Sequence, residues 1–207
     1  MSQRPYHRLG RHAAGLALTA VAAVVAAGVT PAAAQNAQGA RAAAVDVPPQ
    51  EPGVTLRVFD VQVPLKQLCE LKAGQTPNVD KLMPAIDWTS DADFGMSSNF
   101  MTEVLANLTV PQDGTYAFRL ISDDGSRLTI GEREVIDHDG LHGAEPKDGS
   151  VELGAGLHPL RIEHFEAGGG QQITLQWKPP GAADFTLVPT SALSTDADVV
   201  RVTAPGR

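Results

Sequence analysis

The stretch FMTEVLANLTVPQDGTYAFRLISDDGSRLTIGEREVI, from Phe100 to Ile136, decides how this chain folds. Phe100, Thr102, Val104, Ala106, Leu108 and Val110 share one face of an alternating run. A period of two marks a strand, because successive side chains leave a strand on opposite sides. Pro111-Gln112-Asp113-Gly114 reads as a turn, and Tyr116, Phe118 and Leu120 alternate in the strand beyond it. Leu128 and Ile130 lead into Gly131-Glu132 and then Val135-Ile136. Glycine at the first position of a two-residue loop predicts a type II′ hairpin there.

Working outward, Val54 to Val58 alternates in the same way, as do Val151 to Leu153, Leu160 to His164 and the run holding Ile173, Leu175 and Trp177. Phe185 to Val188 reads as a short final strand. Short strands at roughly 8 to 12 residue spacing, punctuated by Gly and Pro, predict an all-β protein: an antiparallel β-sandwich or jelly-roll-like barrel. Leu65 to Lys72 is the one place with near-helical spacing, confined to a short turn by Pro64 and Gly74. Residues 71–95 form a long excursion with few alternations, and a loop of that length either has a function or packs over a sheet.

The first 34 residues differ from the rest. Arg4, Arg8 and Arg11 precede an apolar stretch from Ala13 to Val29, and Ala32-Ala33-Ala34 supplies a small-residue cleavage pattern. This predicts a signal peptide over 1–34 and export through the general secretion route, with no membrane span after cleavage. Residues 35–52, rich in Ala, Gln and Pro, read as a flexible, disordered linker, 53–190 as one β-sandwich domain, and 191–207 as a flexible tail. Without the three N-terminal arginines the formal charge moves from −8 to −11. Such acidity argues against nucleic acid or an anionic membrane surface as partner. Cys69 is the only cysteine, so no internal disulfide forms; it reads as a small buried hydrophobe.

Chemistry concentrates in two acidic loops. Ser122-Asp123-Asp124-Gly125-Ser126 directly follows a strand, and Asp137-His138-Asp139-Gly140-Leu141-His142-Gly143 follows the next hairpin. Turns leaving neighbouring strands can converge on one edge of a sandwich. Adjacent carboxylates repel unless a cation holds them, and Ca²⁺ accepts 6 to 8 oxygens in flexible geometry. Equally, Asp-Asp-Gly-Ser can be turn chemistry with carboxylates accepting backbone N–H bonds, and the residues alone leave both readings open. There is no zinc pattern, nucleophile elbow or phosphate-cradling glycine loop, so the chain is not expected to be an enzyme.

The stretch from Asp113 to Gly181, with its Ser-Asp-Asp-Gly-Ser turn, its Asp-x-Asp-Gly-Leu-His-Gly loop and the Gly-Leu-His-Pro-Leu-Arg strand entry, closely resembles the protective-antigen fourteen-kilodalton (PA-fourteen) domain family. Val54 to Val110 is similar to the family's N-terminal strands more loosely. The resemblance implies a β-sandwich of a kind found in toxins, glycosidases and adhesins. In the sugar-binding members paired aspartates joined by a cis peptide hold Ca²⁺, which coordinates hydroxyls of a terminal sugar. By resemblance the metal ligands are Asp123 and Asp124. Asp137, His138, Asp139 and His142 of the second loop, with Gly168 and Gly169 of the glycine connection, are then the expected ligand contacts. An Asn that often completes the family's site is replaced by Ala167, which implies one oxygen fewer. Trp177 is expected in the core and Trp88 as the exposed aromatic.

Two functions follow as expectations. One is an exported, lectin-like, Ca²⁺-assisted module for a glycan or cell-surface polysaccharide, secreted or periplasmic. The other is an interaction module docking on a separate exported protein such as a sugar dehydrogenase or cytochrome.

Overall fold

The alternation over Phe100–Val110 becomes a single strand of 11 residues, and the rest of the molecule is arranged about it. The structure is a computed structural model describing residues 47–197; the expected signal peptide and the ends of the expected linker and tail lie outside the described residues. In chain order the strands are β1 (Gln50–Pro52), β2 (Val54–Asp60), β3 (Val79–Met83), β4 (Asp87–Trp88), β5 (Phe100–Val110), β6 (Gly114–Asp123) and β7 (Ser126–Ile130). They continue as β8 (Arg133–His138), β9 (Glu145–Leu153), β10 (Gly156–Glu166), β11 (Gln172–Lys178), β12 (Thr186–Leu187) and β13 (Leu193–Asp196). A four-residue helix, α1 (Asp91–Phe94), lies between β4 and β5.

Eight strands form one antiparallel sheet in the order β1-β13-β5-β10-β7-β8, with β2 beside β5 and β3 beside β2. Five form the second, β12-β11-β6-β9, with β4 on β11. The fold is thus the all-β sandwich that the alternation predicts. β5 and β10 pair along their full length, from Phe100↔Glu166 to Val110↔Gly156. The turn between β7 and β8 leaves Gly131 and Glu132 unpaired beyond Ile130↔Arg133, and Gly131 has φ +61°, as a type II′ hairpin requires at that position.

The inward faces of both sheets join in one apolar cluster that includes Leu56, Val104, Leu108, Phe118, Leu128 and Leu175. Tyr116 is also fully buried, and its hydroxyl donates to the carbonyl of Gln112 at 2.9 Å, so its polar atom is satisfied. A second cluster forms on the outer face of the larger sheet, where Phe59, Met101 and Phe165 are covered by Val61, Leu65, Leu68 and Leu71. Residues 61–78 therefore lie over a sheet face, anchored where the backbone N–H of Leu68 donates to Asp139 Oδ1 at 2.7 Å.

Several expectations are corrected. Residues 50–52 and 193–196, read as linker and tail, are strands that pair with each other, Gln50↔Asp196 to Pro52↔Ser194. A polar cluster fixes them: Gln50 Nε2 donates to Asp196 Oδ1 at 2.7 Å, and Asn107 Nδ2 of β5 donates to Gln50 Oε1 and Asp196 Oδ1. Such short strands carry too few alternations to be read from pattern. No helical turn forms over 65–72, where the leucines serve the outer cluster instead. The excursion over 71–95 contains β3, β4 and α1. Cys69 is exposed on the covering loop rather than buried. Trp88 is 2% exposed, because β4 pairs with β11 at Ile173↔Trp88 and sets the indole edge-to-face on Phe94 at 6.0 Å between centroids. Trp177 is buried beside Tyr116, as expected.

Trp88→Ala should accordingly cost about 3 to 5 kcal/mol of unfolding free energy, the range for deleting a buried aromatic, measured by urea denaturation. An exposed sugar platform would cost less than about 0.5 kcal/mol.

Candidate functional site

The Ser-Asp-Asp-Gly-Ser turn carries the chain from one sheet to the other: Asp123 ends β6 and Ser126 begins β7, with only Asp124 and Gly125 between. The Asp123–Asp124 peptide bond is cis. Glycine is required at 125 by close approach, since a Cβ there would lie 2.5 Å from Phe165 Cε1 and 2.7 Å from the Gly140 nitrogen. Below the turn the buried Ser122 and Ser126 hydroxyls share a 2.7 Å hydrogen bond.

Asp124 is 6% exposed, and both of its oxygens are used. Oδ1 accepts the backbone N–H of His142 at 3.2 Å and Oδ2 that of Ala167 at 3.0 Å. One carboxylate thus holds the loop after β8 and the loop after β10. The carbonyl of Asp123 accepts from His164 Nε2 at 2.8 Å, which places the ring proton on that nitrogen because a carbonyl only accepts. Burial holds His164 down at a pKa of about 4, so the imidazole is neutral at physiological pH.

The structure adds a residue to this edge. Glu166, the last of β10, is fully buried, and one carboxylate oxygen from each of Asp123, Asp124 and Glu166 lies within 4.8 Å of the others. Glu166 Oε1 accepts the Gly168 N–H at 2.6 Å, while Oε2 is buried without a hydrogen-bond partner. Burial, reinforced by the Asp124, Asp123 and Asp91 charges, pushes its pKa up to about 7 against the opposing pull of the Gly168 N–H. Asp123 is also raised, chiefly by burial and then by Asp124. A signal for Glu166 exists in the sequence. Extending the alternation Leu160, Ile162 by two steps reaches His164 and Glu166, two ionisable groups on an inward face.

The expected ligand contacts divide into two groups. His142 gives its backbone N–H to Asp124, and its ring nitrogens face the carbonyls of Gly143 and His138 at 2.9 and 3.1 Å. The two imidazoles stack at 3.9 Å, and burial, then the neighbouring His142, lowers the pKa of His138. Asp139 Oδ1 is taken up by the Leu68 and Gly140 N–H groups. These side chains build the loop. Asp137, Gly168 and Gly169 remain exposed, and a Cβ placed at either glycine would meet nothing within 4 Å, so the edge is open beside them. Gly170 instead lies against Asp123, whose Oδ2 would be 3.0 Å from a Cβ at that position.

The PA14 domain profile matches residues 50–191. Among solved structures, the PA14 domain of the MpAFP antifreeze protein superposes with a TM-score of 0.63 at 14% identity, covering 71% of this chain and 92% of that one. A PA14 sugar-binding domain from an RTX adhesin gives 0.59 at 21% identity, covering 69% and 98%. The A domain of epithelial adhesin 9 from Candida glabrata, in complex with Galβ1-3GlcNAc, gives 0.53 at 14% identity, covering 72% and 92%. At these identities the likeness is one of fold. No curated protein sequence matches the chain significantly.

The raised pKa of Glu166 has a definite sign for stability. The folded state retains a proton that the unfolded chain releases, so stability falls as pH rises from the ordinary carboxylate range through about 7. In chelator, Glu166→Gln should therefore gain on the wild type between pH 5 and pH 8, by up to about 3 kcal/mol in denaturant titrations. An offset independent of pH would refute the assignment.

Proposed function

The chain belongs to the PA14 domain family, and from that premise we propose that it is an exported, non-catalytic carbohydrate-binding module in which Asp123, Asp124 and Glu166 hold Ca²⁺. The observation that carries this reading is the three-carboxylate cluster with its buried, unpartnered Glu166 oxygen. Three carboxylates drawn together away from water repel one another, and a divalent cation relieves that repulsion. An all-oxygen donor set suits calcium rather than a metal that prefers nitrogen or sulfur. Glu166 supplies the oxygen that Ala167 does not.

Calcium bound there would offer coordination positions to sugar hydroxyls. The chain's own residues do the positioning. The His142 and Ala167 N–H groups fix both oxygens of Asp124, and the exposed Gly168 and Gly169 leave the edge free of side chains where a saccharide would approach. The sugar-binding adhesin domain and the adhesin complex with Galβ1-3GlcNAc, which share the fold, support this reading. The serines beside the cluster are bonded to each other and fully buried, which suits a binding role better than a nucleophilic one.

Calorimetric titration of the chelated protein with Ca²⁺ should show one site, lost in Asp124→Ala and weakened at least tenfold in Glu166→Gln. On a glycan array, binding should appear with Ca²⁺ and vanish with chelator. Equal calcium isotherms for wild type and Asp124→Ala would overturn the metal assignment, and an array blank under both conditions would overturn the sugar assignment.

A further inference from the structure

Away from the acidic edge, residues 61–78 roof a cavity of about 600 Å³ over the outer face of the larger sheet. That volume lies in the range of small-molecule sites, roughly 300 to 1,000 Å³. Its floor is a ladder of alternating charge carried by neighbouring strands. Arg57 of β2 lies 3.8 Å from Glu103 of β5, Glu103 lies 2.9 Å from Arg161 of β10, and Arg161 lies 3.1 Å from Glu163. Glu163 then lies 3.8 Å from Arg127 of β7, which approaches Glu134 of β8 at 3.2 Å. Glu70, Lys72 and Gln75 face the ladder from the roof, and Leu71 and Pro77 add apolar surface.

We propose that this cavity is a second, calcium-independent binding site, and that it takes a neutral saccharide. Among the ladder's contacts only Arg161 Nε to Glu103 Oε1 has hydrogen-bond geometry; the others are charge attractions that leave N–H donors and carboxylate lone pairs unspent. The wall therefore presents donors and acceptors in alternation at near-zero net charge. A hydroxyl both donates and accepts, so a ring bearing several neighbouring hydroxyls can bond to arginine and glutamate in turn. The lining sets four cations (Arg57, Lys72, Arg127, Arg161) against three anions (Glu70, Glu103, Glu163), so a charged ligand of either sign is attracted by one set and repelled by the other and gains little net, whereas hydroxyls bond to both. The apolar patches suit the C–H faces of a sugar ring. The site uses none of the three edge carboxylates and does not depend on the calcium reading.

Saturation-transfer NMR on the full chain in EDTA, with lactose, cellobiose and maltose as probes and D-glucuronate as the charged comparison, tests this. At least one neutral disaccharide should receive saturation. Glu163→Ala should weaken its binding at least tenfold, and so should Gln75→Trp, a change in the covering loop that fills the cavity while replacing no ladder residue. Arg119→Gln, which removes a cation from the other sheet, should leave binding within twofold. Absence of transfer to all three neutral probes, transfer that requires Ca²⁺, transfer undiminished in Gln75→Trp, or tighter binding of D-glucuronate would each overturn the proposal. The calcium requirement distinguishes failure here from failure at the edge site.

Discussion

Two hydrogen bonds to one side chain organise the acidic edge. Asp124 sits between the sheets, in a two-residue crossing, and its oxygens take N–H groups from two loops that are otherwise remote in sequence. β9 and β10 lie between those loops in sequence and run out from this edge and back to it, which returns both loops to Asp124. A carboxylate accepting backbone N–H groups in a buried position contributes more than a neutral acceptor would, because charge-assisted bonds strengthen as water is excluded. The same carboxylate cannot move without releasing both loops. That makes Asp124 a structural keystone as well as a member of the three-carboxylate cluster, so the turn chemistry that the sequence offers is present in it alongside the proposed ion site.

The edge is also where the fold stores unfavourable charge. Glu166 and Asp123 have raised pKa values, and His164, pressed against the Asp123 carbonyl, is held neutral by burial. Elsewhere charge is arranged the opposite way. The outer face of the larger sheet alternates arginine and glutamate across four strands, and each charge there has an opposite neighbour. One sandwich therefore carries a concentrated anionic edge and a balanced polar face, two surfaces of opposite electrostatic character. The loop after β8 joins them, since Asp139 holds residues 61–78 through Leu68 while His142 holds Asp124.

How much of this is legible in the sequence depends on how each residue is determined. Strands whose alternation lasts many residues, such as Phe100–Val110, are plain, because a two-residue period repeated that often has one structural explanation. The paired aspartates are legible for a similar reason: a tight Gly-containing turn and a family resemblance coincide on them. Trp88 is misread because its burial depends on a two-residue strand that only the partner β11 stabilises. Cys69 is misread because its neighbours Leu65, Leu68 and Leu71 take the apolar contacts beneath the covering loop. Glu166 stays hidden because an acid at the end of an apolar strand looks like the point where the strand reaches solvent, and only the crossing of β6 into β7 brings two more carboxylates to it.

The pairing of the first and last strands has a mechanical side. Gln50 faces Asp196 and Pro52 faces Ser194, so the two backbone exits at residues 50 and 196 lie at the same end of the ladder. A tension applied through those exits would open the pair bond by bond, like a zipper, rather than load all its hydrogen bonds at once in shear. The backbone bond from the Ala197 N–H to the Pro49 carbonyl, 2.7 Å, stands outermost at the end where such peeling starts, and the polar cluster of Gln50, Asn107 and Asp196 comes next, so these bonds resist it first. Under load this sandwich would give way at its short terminal strands before the eleven-pair β5–β10 ladder, yielding at the seam while the centre of the larger sheet holds.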